Sequence, residues 1–255
     1  MNKEQFDSYL AFAKEKLGFE FHDINLLITA LTHRSYVNEH RKTKIEHNER
    51  LEFLGDAVLE LVSSDFLFKN YEEPEGIMTS WRAALVNTEA NAAAGEALGY
   101  GPLVRLSNGE KNGSMRAHHV IMADCYEAII GAIYLDQGYK AAEDFILKNS
   151  MIKIDEILES ESWRDSKSYL QELAQKIDNT TPTYAVLKEE GPDHDKTFTV
   201  GALINGHIKA TGVGHSKQEA QVKAAAEAIR QYKKTHPEET KSEYGKKKSI
   251  GKNCW

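Results

Sequence analysis

The sequence predicts a two-part chain: an all-α N-terminal domain over residues 1–160, then a small α+β module of order α-β-β-β-α over residues 165–234. Three observations carry that expectation. Apolar residues recur at three- and four-residue spacing through the first part, with no alternating pattern of comparable strength. After Glu161 the grammar changes, and TFTVGALI alternates Phe198, Val200, Ala202 and Ile204 with Thr197, Thr199, Gly201 and Leu203. Asn205-Gly206 then forms a strong two-residue hairpin signal before HIKATG.

In chain order, FDSYLAFAKEKLGF and NLLITALTH read as helices, with Asp23 placed to cap the second. Helical patterning continues around 47–69, 77–98, 119–136 and 139–158, and Pro74 and Gly76 punctuate the start of the 77–98 stretch. Residues 161–164 read as a linker. SKSYLQELAQKI opens the second module as a short helix, and TYAVLK, TFTVGALI and HIKATG supply its strands. HSKQEAQVKAAAEAIRQY closes it, with Ser216 and Glu219 at capping-box spacing and Ala220, Ala224, Ala225 and Ala228 forming a small-residue face for a sheet. Residues 235–255, rich in Lys, Glu and Gly, have little to bury and read as a basic, disordered tail.

The bulk numbers narrow the function classes. The 255 residues are 41% hydrophobic and 28% charged, an ordinary globular balance. No apolar run approaches a membrane span, and the acid-bearing start MNKEQFDSYLAFAKEKL is not a secretory signal. Two cysteines, Cys125 and Cys254, argue against a disulfide scaffold and fit a reducing cytoplasm. The net charge of −7 is uneven: residues 1–164 carry 17 Lys and Arg against 27 Asp and Glu, whereas residues 231–255 carry seven Lys against three Glu. An acidic body repels nucleic acid, so a nucleic-acid function needs local cations or neutralising counterions.

HNERLEFLGDAVLELV, residues 47–62, places Leu51, Leu54, Val58, Leu61 and Val62 for burial with acids among them. At about 100° per residue from Glu49, Asp56 falls near about 340° and Glu52 near about 300°, while Leu51, Leu54, Val58 and Val62 span about 140° to 220°. A solvated acidic face explains that much. Phe53, beside the acids and off the apolar stripe, adds a candidate partner surface. In IMADCYEAIIGAIYLD, Asp124 and Glu127 are three residues apart on one face of a helix rich in isoleucine, with Gly131 one turn beyond Glu127. If both acidic faces meet in one cleft, each pair of charges about 4 Å apart repels by about 4 kcal/mol at an effective dielectric of 20. Protons or a cation must then neutralise them. Oxygen-only donors favour Mg²⁺ or Mn²⁺ over zinc, and metal-assisted phosphodiester hydrolysis follows, although a structural ion site has the same composition.

HNERLEFLGDAVL closely resembles the signature of the ribonuclease III family. LLITALTHRSY, PEGIMTSWRAALVN and MADCYEAIIGAIYLD resemble its other helices in order, and residues 165–232 resemble its double-stranded-RNA-binding domain, especially LQELAQ, GPDHDKTF and GVGHSKQEA. The resemblance implies an all-α endonuclease domain followed by the RNA-binding module. It also implies an Mg²⁺-dependent cut of duplex RNA that leaves 5′-phosphates and short 3′ overhangs, in processing of ribosomal RNA precursors and other structured transcripts. It makes Glu52, Asp56, Asp124 and Glu127 the metal set, with Asp56 and Glu127 catalytic and Glu49 a further acid near the cleft. It implies a homodimer with Phe53 packed into the other subunit, Mn²⁺ as a substitute ion, and no organic cofactor or membrane partner. In the second module it assigns RNA contacts to Gln171, Glu172, His194, Ser216 and Lys217.

Two segments depart from the family pattern. Gln218 and Gln221 stand where a lysine run is common, which implies weaker, less salt-sensitive RNA binding. Met115 and His118-His119 replace part of a Gly- and Arg-rich stretch that retains Lys111 and Arg116. The competing expectation is a non-cleaving RNA-binding or ribosome-associated protein on the same fold. A scaffold has no need to crowd four carboxylates.

Overall fold

A computed structural model describes residues 1–40, 45–161, 163–192, 195–240 and 244–247. The chain divides into two compact units, Met1–Ser160 with the segment from Lys246, and Glu161–Gly245.

The first unit is helical throughout: α1 (Lys3–Phe12), α2 (Ile24–Ala30), α3 (Arg34–Glu39), α4 (Glu49–Asn70), α5 (Glu75–Val86), α6 (Thr88–Leu98), α7 (Asn108–Lys111), α8 (Met115–Gln137), α9 (Tyr139–Asn149) and α10 (Ile154–Ser160). Asp23 caps α2 as expected, accepting from the Asn25 amide at 3.0 Å. Two stretches expected as single helices are broken. The 77–98 stretch divides at Asn87, whose side chain accepts from the Ala90 amide at 2.8 Å and restarts the chain as α6. This is an ordinary N-cap, and it outweighs the continuous apolar period. The 139–158 stretch divides after Asn149, where a 3₁₀ turn, Met151–Lys153, intervenes.

Helix α8 forms the centre of this unit. Ile121, Tyr126, Ile129, Ile130 and Ile133 are buried along it. Its approach to α4 depends on two glycines. A Cβ on Gly55 would lie 1.7 Å from the Glu127 carbonyl oxygen, and one on Gly131 would lie 2.3 Å from that of Leu51. The helices therefore touch backbone to backbone, and any side chain at either position would drive them apart. Leu51, Val58 and Val62 face the interior as expected, but Leu61 is exposed, because the buried face of α4 also takes in Gly55, Leu59 and Ser63 and is turned toward the acids.

The second unit contains α11 (Ser166–Asp178), the antiparallel strands β1 (Thr183–Glu190), β2 (Thr197–Ile204) and β3 (His207–Gly214) in the order β1-β2-β3, and α12 (Lys217–Thr235). Asn205 and Gly206 turn the β2–β3 hairpin with φ of 51° and 77°, the left-handed conformation that Asn-Gly accepts readily. Ala220, Ala224, Ala225 and Ala228 are buried on α12. Leu170, Leu173 and Ala174 of α11 join them with Ala202, Ile204 and Ala210 of the sheet in one core.

The expected linker at 161–164 is part of this unit. Glu161 is buried, accepts from the Tyr169 hydroxyl at 3.0 Å and pairs with Lys233 at 2.7 Å. The segment expected as a disordered tail makes contacts where it is described. Thr240 is buried, Tyr244 packs edge-on against Trp163 with ring centroids 5.9 Å apart, and Lys247 pairs with Asp155 of its own unit at 3.0 Å. Scattered aromatic and charged anchors do this work in a segment whose average composition hides them.

Gly55→Ala should lower unfolding stability by about 3 kcal/mol through overpacking, read as a lower denaturant midpoint. Gly76→Ala, where a Cβ meets nothing within 4 Å, should stay near wild type. Equal midpoints for the two variants would remove the close-crossing account.

Candidate functional site

The glycine crossing brings the acids of α4 against those of α8. Glu52 and Asp56 lie one turn before and one residue after Gly55, and Glu127 supplies the carbonyl that Gly55 touches. Glu52, Asp124 and Glu127 are half-buried, and Asp56 is exposed. Burial, then Asp124, Glu49 and Asp56, pushes the Glu52 carboxyl up to about 7. Burial, then Asp56, pushes Glu127 up to about 7, with Glu52 and Asp124 adding to it and a hydrogen bond from Asn91 opposing it. Asp124 is raised too, by burial and by Glu49. Each of these acids is thus felt by acids of the other helix.

Glu49 stands slightly apart. It is exposed, and its carboxylate meets Arg34 at 3.3 Å, which partly offsets its charge, with His47 Nδ1 3.8 Å away. The start of α4 is set by Asn48, which is buried. Its amide N–H donates to the Thr32 carbonyl at 2.9 Å and its side-chain nitrogen lies 3.6 Å from Cys125 Sγ on α8.

Among the described residues, no group of three or more His, Cys, Asp or Glu is arranged to hold a metal ion as it stands. The acids form an electrostatically strained cleft, and a closed cage is not built. Their chemistry still fits a hard divalent cation. The donors are all oxygens, and two carboxyls retain protons to near neutral pH because burial and the neighbouring acids disfavour their charged forms.

Asn91, absent from the sequence reading, completes this wall. It is 1% exposed, and its Nδ2 donates to Glu127 Oε1 at 2.8 Å and to the Val86 carbonyl at 3.0 Å. A signal existed: Asn91 heads the stripe Asn91, Ala94, Gly95, Leu98 at helical spacing, all buried, and is its one side chain with hydrogen-bonding capacity. Gly55 was likewise missed, and the room reserved by Gly131 is filled by the backbone of α4.

Phe53 is 80% exposed. It borders a cleft of about 1120 Å³ whose apolar lining includes Leu26, Ile28, Leu51, Leu54 and Leu135. That cleft takes in Glu49 but none of the other four acids.

In the second unit, Gln171 and Glu172 are exposed on α11, and Glu172 accepts from Arg164 at 2.7 Å. Ser216 caps α12, accepting from the Glu219 amide at 3.1 Å. Lys217 pairs with Glu189 at 3.1 Å. His194 lies outside the described residues. On the first unit, Lys111, Met115 and Arg116 are exposed, and His119 approaches Glu96 at 3.8 Å.

Comparison with known proteins covers both units. A Ribonuclease-III-like family model matches residues 23–154, and a double-stranded RNA binding motif matches residues 166–232. Ribonuclease 3 of Desulforamulus reducens is 43% identical over 217 residues, covering 85% of this chain and 88% of that protein. Ribonuclease 3 of Geobacillus kaustophilus is 46% identical with the same coverage. A solved nuclease domain of ribonuclease III from Campylobacter jejuni is 41% identical, covers 55% of this chain and 97% of that one, and superposes with a TM-score of 0.49.

The raised carboxyls set the pH dependence of the metal-free protein. Unfolded, Glu52 and Glu127 release their protons near 4.5; folded, they hold them to about 7. The folded state binds more protons across that window, so stability is full below it and falls as pH rises through it. Solvent screening at these half-exposed groups keeps the effect modest. The melting temperature in EDTA should drop by a few degrees between about pH 5 and about pH 8, and millimolar Mg²⁺ should restore it at the upper end. A melting temperature that rises with pH in EDTA would contradict the crowded-acid picture.

Proposed function

The chain belongs to the ribonuclease III family, and from that premise we propose that it is a divalent-metal-dependent endoribonuclease whose site is the α4–α8 cleft and whose ion is Mg²⁺, with Mn²⁺ as a substitute. Its substrate is double-stranded RNA. The observation that carries the mechanism is the pair of carboxyls, Glu52 and Glu127, held near 7 by burial and by acids across the helix crossing.

Glu52, Asp56, Asp124 and Glu127 would hold the ion through oxygen atoms, with Glu49 at the rim. When bound, the ion supplies charge neutralisation and Lewis acidity toward the scissile phosphate and the attacking water. The chain's own residues then orient that chemistry. Glu127, half-buried and fixed on one side by Asn91, keeps its proton to about 7 without the ion, so ion binding near neutral pH displaces that proton. Asp56 lies open to solvent opposite it, where a phosphate can enter. Water adds to phosphorus as the bond to the 3′ oxygen breaks, giving a 5′-phosphate and a 3′-hydroxyl.

Duplex binding falls to the second unit. Recognition of A-form RNA rests on shape, 2′-hydroxyls and phosphates, for which exposed Gln171, the Ser216–Lys217 start of α12 and His194 are the candidate contacts. Lys217 and Glu172 must exchange their internal partners, Glu189 and Arg164, to take part. Two copies would place two cleavage sites on opposite strands and produce short 3′ overhangs. Exposed Phe53 beside its apolar cleft supports that pairing, with the ring of each copy entering the cleft of the other. Among the described residues no helix is long and apolar enough to cross a membrane. Processing of ribosomal RNA precursors and other structured transcripts in the cytoplasm is the setting we assign.

End-labelled duplex RNA should be cut in Mg²⁺ or Mn²⁺ and left intact in EDTA. Glu127→Gln should slow cleavage by roughly 10²–10⁴-fold while retaining gel-shift affinity. Tight binding by the wild-type chain with no cutting under any divalent ion would instead make it a scaffold. Sedimentation should show Phe53→Ala dissociating at low micromolar concentration where the wild type stays dimeric; an undiminished dimer would take Phe53 out of the interface.

A further inference from the structure

Asn91 is a polar side chain in an apolar place. Its amide orientation is determined by its neighbours: Val86 O and Glu127 Oε1 are both acceptors, so the nitrogen must face them. That leaves Asn91 Oδ1 buried without a hydrogen-bond partner. An unpaired buried carbonyl is unfavourable, and Ala94, Gly95 and Leu98 on the same stripe are apolar or small. An aliphatic residue at 91 would remove that unpaired oxygen, at the expense of the bond to the Val86 carbonyl. What an aliphatic residue cannot do is donate to Glu127.

We propose that Asn91 is a positioning residue for Glu127, tying Oε1 to the wall of the cleft so that Oε2 is presented to the metal and the attacking water. The amide is itself anchored at the Val86 carbonyl, next to the Asn87 break between α5 and α6, so the break positions the donor. Tying one carboxylate oxygen removes rotation of the group before any ligand arrives, and outer partners of this kind commonly tune ligand affinity. The inference rests on the metal-dependent reading of the cleft.

The test compares wild type with Asn91→Leu and Asn91→Met, two apolar residues of suitable volume. The readouts are the metal-free melting temperature, Mn²⁺ affinity by electron paramagnetic resonance, and kcat and KM on duplex RNA. A positioning role predicts a metal-free melting temperature near wild type, Mn²⁺ binding weaker by about 10–100-fold, a comparable loss in kcat, and unchanged KM. Wild-type Mn²⁺ affinity and kcat in both variants would overturn it. So would failure of both variants to fold, which would make Asn91 a structural residue. A wild-type protein that binds Mn²⁺ but never cuts RNA defeats the hydrolytic reading and leaves the Mn²⁺ comparison decisive for Asn91. A wild type that binds no Mn²⁺ defeats both.

Discussion

The backbone contact between α4 and α8 at Gly55 and Gly131 is the constraint on which the first unit depends. Without a Cβ at either position, the helices approach closely enough for the Glu127 carbonyl to occupy the space a side chain on residue 55 would need. The same approach forces Glu52 and Asp56 toward Asp124 and Glu127. Core packing and crowding of the acids are therefore one geometric fact. A looser crossing would relieve the carboxylates and also open the centre of the unit around Ile129, Ile130 and Ile133.

That arrangement sets local stability against chemical use. Burial raises Glu52 and Glu127, and each neighbouring acid raises them further. Strongly shifted groups in a cleft are candidates for function because folding alone gains nothing from them. Asn91 shows the same opposition on a smaller scale: it leaves one buried oxygen unpaired while its nitrogen supports Glu127. Glu49, by contrast, meets Arg34 and His47 and is less constrained.

The second unit resolves its charges internally. Lys217 is paired with Glu189, Glu172 with Arg164, and buried Glu161 with Lys233. Such pairs at the surface are individually weak and open to exchange, so phosphates can compete for the cations. Glu161 differs, since it is enclosed with the Tyr169 hydroxyl and ties the first residues of the unit to the end of α12. This burial explains why a segment that reads as a connector is part of a folded domain.

Local chemistry was legible in the sequence wherever a signal is completed within a few residues. The helical periods, the Asp23 and Ser216 caps, the Asn205-Gly206 turn and the alanine face of α12 all belong to that class, as does the spacing that aligned the acids on each helix. Asn87 was a short-range signal as well, but the longer apolar period masked it. Tertiary structure alone decided which surface of Gly131 was covered, that Gly55 made the matching contact, that Leu61 stayed outside, and that Asn91 reached Glu127. Periodicity specifies a face of a helix and is silent about its neighbour. Which residues meet depends on the distance and angle at which two distant helices cross, and here the missing Cβ atoms at that crossing determine both.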